Sequence, residues 1–238
     1  MSGLELALGL VVFTIGCTIQ GVLGFGAGLF SVPILALIDP QFVPGPILLV
    51  NPLLSGLYAW RERGAVDVGA LKWALVGRVP GVLLGALALS AVSEDRLGIL
   101  FGSLLLVGIG LKVTGVKTRR TPRTLLGAGG LGGFMGTSVG VGGPPIALVF
   151  HDASGPEIRS TLSTYFLVGT SMSMVVLVAF GEFGGDDLVV SAWLVLPVLV
   201  GYVLSGPLRR VLDHGWLAPA IYVLSGSAAV MLLVRSLG

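Results

Sequence analysis

Charge is scarce in this chain. Only 11% of its residues are Asp, Glu, Lys or Arg, against about 25% in ordinary water-soluble domains. With 54% hydrophobic residues and a mean hydropathy of +0.99, 238 residues cannot hide all their apolar surface inside a globule of that size. A soluble enzyme, a disordered chain and a nucleic-acid binder are excluded together, the last also by a net charge of +2 with no large basic block. Cysteine is nearly absent. Cys17 stands alone, so neither an intrachain disulfide nor a cysteine metal cluster can form. Only two histidines occur, His151 and His214, not at metal-ligand spacing. No Walker motif is present, and nothing poises a Ser against a His. The sequence therefore predicts a non-enzyme with no cofactor and no metal.

Long apolar runs are abundant. A hydrocarbon core of about 30 Å needs about 20 helical residues. Stretches that fit run from Gly69 to Val92, Leu97 to Leu111, Ile158 to Phe180, Leu188 to Leu208 and Trp216 to Val234. Two others do not fit one straight helix. Leu4 to Ile38 would be about 52 Å long at about 1.5 Å per residue, so it must tilt, break or turn back. Thr124 to Phe150 contains Gly140, Gly142, Gly143, Pro144 and Pro145 within six residues, a run that no regular helix survives. The expected fold is an all-α, polytopic, multi-pass membrane protein forming a single integral membrane domain.

Glycine, at 38 residues, is the excess that needs explaining. Part of it falls four residues apart, as in Gly77, Gly81 and Gly85 or Gly132, Gly136 and Gly140, which is the spacing of close helix packing. Another part recurs between halves of the chain. Gly64, Asp67, Trp73 and Gly81 match Gly184, Asp187, Trp193 and Gly201 at an offset of 120 residues, and Gly24, Gly26 and Gly28 align with Gly140, Gly142 and Pro144 at a slightly shorter offset. This predicts two homologous repeats, residues 1–111 and 124–238, each opening with a Gly/Pro-broken or re-entrant helix. The linker, 112–123, carries Lys117, Arg119, Arg120 and Arg123 and is expected to be cytoplasmic, as is the loop with Arg61 and Arg63. In the second half the equivalent loop is acidic (Glu182, Asp186, Asp187), and the basic pair Arg209 and Arg210 comes one loop later, whereas that loop of the first half holds Glu94, Asp95 and Arg96. The bias favours inverted halves over the competing arrangement of four parallel crossings each.

Broken helices expose backbone N–H groups with partial positive charge, which suits an anion. Two breaks in corresponding positions point to a site near the midplane. The candidate substrate-binding residues are Gly24, Gly26 and Gly28 from the first break and Gly140, Gly142 and Gly143 from the second. Thr137 and Ser138 beside the second break, mid-segment Asn51 and above all Arg78 complete the set. Arg78 lies in the middle of an apolar span, where a charge costs at least about 2.5 kcal/mol. A bound anion would offset that; so would an ion pair with Asp39 or Asp152. Gln20, Ser31, Thr170 and Ser171 are polar neighbours that could donate a hydrogen bond to a ligand or to an adjacent helix. Coupling to a proton or another ion would need a titratable group on the pathway. His151 beside Asp152 is the candidate, with a plain loop role as its alternative.

The stretch from Gly21 to Pro33 and its counterpart from Gly132 to Pro145 resemble the glycine-rich motifs that open each half of the TauE/SafE family, the sulfite exporter-like permeases, and the Gly64 to Asp67 loop fits as well. Ala27 and Pro144 stand where that pattern has glycine. The resemblance implies a secondary transporter of small sulfur-containing anions, such as sulfite or organosulfonates, in the inner or plasma membrane, working by alternating access. Its expected partners are a small anionic substrate and the lipid bilayer, with oligomeric state left open. The alternatives are a non-transporting membrane assembly or scaffold subunit, and a cation transporter, which would want carboxylates at span centres.

Overall fold

A computed structural model describes residues 1–92, 96–113, 118–211 and 217–237. Glu94, Asp95, Lys117, Asp213, His214 and Trp216 lie outside the described residues, as do parts of the expected linker. Among the described residues all regular structure is helical. The ten α-helices are α1 (Gly3–Leu23), α2 (Ala27–Ile38), α3 (Gly45–Glu62), α4 (Val68–Ala91), α5 (Leu97–Val113), α6 (Pro122–Val139), α7 (Gly143–Val149), α8 (Gly155–Ala179), α9 (Gly185–Val211) and α10 (Leu217–Leu237). Among the described residues four segments are long and apolar enough to cross a bilayer: Gly3–Leu23, Val68–Ala91, Gly155–Ala179 and Gly185–Arg209. The linker is shorter than expected, since α5 runs through Lys112 and Arg123 already lies in α6.

Both overlong stretches break at their glycines. α1 ends at Gly24 (φ 87°), and Gly26 (φ 116°) sets the start of α2; α6 ends at Gly140 (φ 73°). A side chain at such left-handed positions costs about 1–2 kcal/mol, which glycine avoids. Pro144 and Pro145 do not extend the second break. They sit in the first turn of α7, where a missing N–H removes no helical hydrogen bond.

The chain reverses at each break. Ser31 Oγ donates to the Val12 carbonyl at 3.5 Å, and Phe42 packs on Gly9, so α2 runs back along α1. Gly142 packs on Gly132, and the loop after α7 returns to the start of α6, where Arg120 binds Asp152 at 2.9 Å. α4 and α6 run side by side in the same direction: Gly77, Gly81 and Gly85 meet Leu126, Gly130 and Phe134, while Gly129 and Gly133 meet Ala74 and Arg78. A methyl at any of the first three would press into backbone. The packing spacing of Gly77, Gly81 and Gly85 is thus used as expected, against Leu126, Gly130 and Phe134 of α6. α1 and α9 are also parallel, with Cys17 against Gly201 and Gly21 against Ser205.

These contacts sort the helix ends onto two faces. One face gathers the ends of α1, α3 and α9 and the starts of α4, α6 and α8, tied by Arg61, Arg120, Arg159 and Arg209. The other gathers the starts of α1 and α3 and of α9, tied by Met1 to Asp39 and by Gly45 against Asp187. Between the faces, Val79, Leu83, Leu84 and Leu87 of α4 and Leu196, Leu199, Val203 and Leu204 of α9 are exposed. So broad an apolar surface would drive aggregation in water and matches the lipid tails of a bilayer. Trp73 and Trp193 are also exposed, each near the start of its helix and so near opposite faces, where membrane-interface tryptophans sit. The protein is a multi-pass membrane protein.

Candidate functional site

The two breaks meet. A Cβ on Gly28 would overlap the Gly140 carbonyl, and one on Gly143 would come within 3.3 Å of Phe25. Where they meet lies a cavity of about 20 Å³, lined by Gln20, Gly26, Gly28, Leu29, Asn51, Arg78, Gly136, Gly140, Val141, Gly142, Gly143, Phe166 and Thr170. It has room for a water molecule and is too small for a polyatomic ion without some widening.

Arg78 is the decisive residue. It comes from the middle of α4 and is fully buried. Its guanidinium lies 4.5 Å over the ring of Tyr165, whose hydroxyl donates to the Gly129 carbonyl at 3.1 Å. The side chain threads a slot cut by glycines from two helices. A methyl on Gly133 would come within 2.9 Å of Arg78 Cγ, one on Gly136 within 3.2 Å of Nη2, and one on Gly169 would overlap Nε outright. Among the described residues Nε and Nη1 have no hydrogen-bond acceptor. The two ion-pair partners that could have neutralised it are engaged elsewhere, Asp39 with the N-terminal amine and Asp152 with Arg120. A desolvated cation–π contact supplies about 2 kcal/mol. That does not cover an insertion cost of about 2.5–3.5 kcal/mol plus about 1–3 kcal/mol for each orphaned donor. The deficit is what an incoming anion would relieve.

The remaining wall continues the donor theme. Gln20 is buried, and its Nε2 also lacks a partner. Asn51 Oδ1 accepts from Ser55, which turns the amide nitrogen to other uses. The N-terminus of α2 opens at Gly26 with no side-chain cap, so its free N–H groups add positive potential. Among the described residues no carboxylate lines the cavity. Such a wall suits an anion and penalises a cation.

Of the residues expected from sequence, Gly26, Gly28, Asn51, Arg78, Gly140, Gly142 and Gly143 line this cavity. Three lie outside its wall. Gly24 packs on the Arg159 backbone, 2.8 Å from where its Cβ would be. Thr137 shares a buried 2.7 Å hydrogen bond with Ser173, and Ser138 bonds back to the Phe134 carbonyl at 2.7 Å. His151 is exposed on the loop beside Arg120, away from the cavity. Gly136, Phe166, Tyr165 and Gly169 were not anticipated as site residues. The spacing signal for Gly136 was read as helix packing, and nothing local to Gly169 marks it, because its role is defined by a side chain 91 positions away.

The sequence matches the sulfite exporter TauE/SafE family over residues 8–232. It is 27% identical over 202 residues to the probable sulfite/organosulfonate exporter TauE of Cupriavidus necator, covering 80% of this chain and 78% of that protein. No solved structure matches. The chain belongs to the TauE/SafE family and is a membrane transporter, not an enzyme.

Proposed function

We propose that this family member moves a small sulfur oxyanion, sulfite or an organosulfonate, across the inner or plasma membrane by way of the cavity at Arg78. The observation that carries the reading is a fully buried guanidinium with two unpartnered nitrogens beside a cavity walled by donors. A sulfonate or sulfite group presents several oxygens to a planar guanidinium, the pairing that arginine geometry favours. The chain is similar over most of its length to a probable exporter, which supports export as the direction.

The reading includes inverted repeats, residues 1–111 and 124–238. Its support is directional: α4 runs parallel to α6, and α1 to α9, so equivalent helices of the two halves point opposite ways. The arginine-rich face is then cytoplasmic, since Arg61, Arg63, Arg119, Arg120, Arg123, Arg159 and Arg209 gather there while Arg96 and Arg235 lie toward the other. Transport proceeds by rocking of the halves about the meeting point of the two breaks, with the 20 Å³ cavity corresponding to a closed state. Two measurements test this. Proteoliposomes should exchange sulfite against a gradient of sulfite and leave sodium and potassium unmoved; flux of cations alone would sink the anion reading. A reporter fused after Gly238 should be active on the outer side only, and cytoplasmic activity would refute the inversion.

A further inference from the structure

A second group of arginines stands on the arginine-rich face, apart from the cavity. Arg61, Arg159 and Arg209 converge from α3, α8 and α9 on a single oxygen, Glu62 Oε1. Arg209 donates to it directly. The Nε groups of Arg61 and Arg159 each stand 3.6 Å away, too far to bond, and both are buried without an acceptor. The side chains of Glu62, Arg159 and Arg61 are only 9%, 11% and 14% exposed, so water replaces few of the missing bonds. Among the described residues three permanent positive charges therefore face one carboxylate, and one oxygen serves donors that would occupy three.

The group is also joined to the first break. Arg61 Nη2 donates to the Gly21 carbonyl at 3.1 Å and Arg159 Nη1 to Val22 at 3.5 Å, the last turn of α1, and the Arg159 backbone abuts Gly24. The Arg61 guanidinium stands against the neighbouring rings of both Tyr58 and Tyr202, 4.8 and 4.9 Å from their centroids. The donors thus bind the helix end that also carries Gln20, a lining residue of the cavity.

We propose that Arg61, Arg159 and Arg209 form a vestibular oxyanion site, in which a small sulfur or phosphorus oxyanion takes the place of the Glu62 carboxylate. Glu62 is its built-in competitor: with the site empty it neutralises part of the charge and ties α3 to α8 and α9, and an arriving oxyanion displaces it. The proposal rests on the anion reading of the cavity only for the identity of the solute. Because a lipid headgroup phosphate has the same chemistry, its test separates the two sources.

The test uses the full chain, purified in lipid-free detergent with Arg78→Gln so that the cavity does not contribute, and sulfite as the probe. Sulfite should bind, Glu62→Gln should tighten binding about tenfold by removing the competitor, and Arg209→Gln should weaken it at least as much. Unchanged or weaker binding in a monodisperse Glu62→Gln protein overturns the proposal. Should that variant not remain monodisperse, Arg209→Lys and Arg209→Gln decide: a fork-shaped oxyanion site loses affinity in the order wild type, Lys, Gln, and three equal affinities overturn it. Added phosphatidylglycerol that displaces sulfite with the same Glu62 dependence assigns the site to headgroups as well; failure to displace assigns it to the solute alone. Sulfite flux unaffected by Arg78→Gln would sink the cavity reading and leave this site standing.

Discussion

Arg78 and Arg120 are the same side chain in opposite company. Arg120 sits on the arginine-rich face among three carboxylates, at 3.3 Å from Asp67, 2.9 Å from Asp152 and in direct contact with Glu157. It joins the start of α4, the start of α8 and the loop after α7 to the segment that leads into α6. Arg78 has an aromatic ring, three glycines and no carboxylate. The contrast teaches how to separate structural from functional charge in a membrane protein. A charge whose partners are all supplied by the chain is a fastener. A charge that the chain buries and leaves short of acceptors is, on the proposed function, the place where a solute binds.

The comparison breaks most sharply at Arg78→Gln. Losing two charge-assisted hydrogen bonds to substrate, about 3 kcal/mol together, should lower sulfite flux in proteoliposomes about a hundredfold. Thermal stability should hold or rise, because an uncompensated buried charge has gone. A variant that loses stability and keeps flux would make Arg78 a fastener after all. Next in size is Gly169→Ala. Its methyl overlaps Arg78 Nε, and relieving that overlap costs about 1–3 kcal/mol, so flux should fall about tenfold or more at normal expression. Wild-type flux from this variant would show that the slot is looser than drawn.

Arg120→Gln should do the reverse. Surface pairs are weak, so its bonds to Asp67 and Glu157 are worth about 1 kcal/mol after screening. Melting temperature should drop modestly while flux per folded molecule stays near wild type; a hundredfold flux defect would erase the distinction. The smallest effect concerns acid. The hydrogen bond from Arg120 holds the Asp152 carboxyl below its ordinary value of 3.8. A depressed folded value means the stabilisation is present above the unfolded one and is lost as pH falls through the folded one. Melting temperature should therefore decline below about pH 4, and the decline should be shallower in Asp152→Asn. Equal slopes would mean that the bond does not persist in solution.

Much of the architecture was legible beforehand because its signals are local. Gly24, Gly26 and Gly140 sit where positive φ is needed, and a run of apolar residues too long for one span has to break near such glycines. Arg78 was legible because a charge in an apolar span is an anomaly in any fold. The exclusion of Ser138 from the cavity was not, since a hydroxyl four residues after a carbonyl in a helix can bond it whatever else is near. The same holds for His151, whose proximity in sequence to the second break does not carry into space once α7 turns the chain away.

Composition and periodicity determined, with no structure, that this is a helical membrane protein with two broken helices and one misplaced cation. Those follow from the energetics of single residues against a lipid solvent. Which glycines seat Arg78, which carboxylates hold Arg120, that Arg159 and Arg209 meet at Glu62, and that Gln20 joins the cavity were decided only by tertiary structure. Each of those is a meeting of atoms far apart in the chain, and no residue's own chemistry encodes the identity of its distant neighbour.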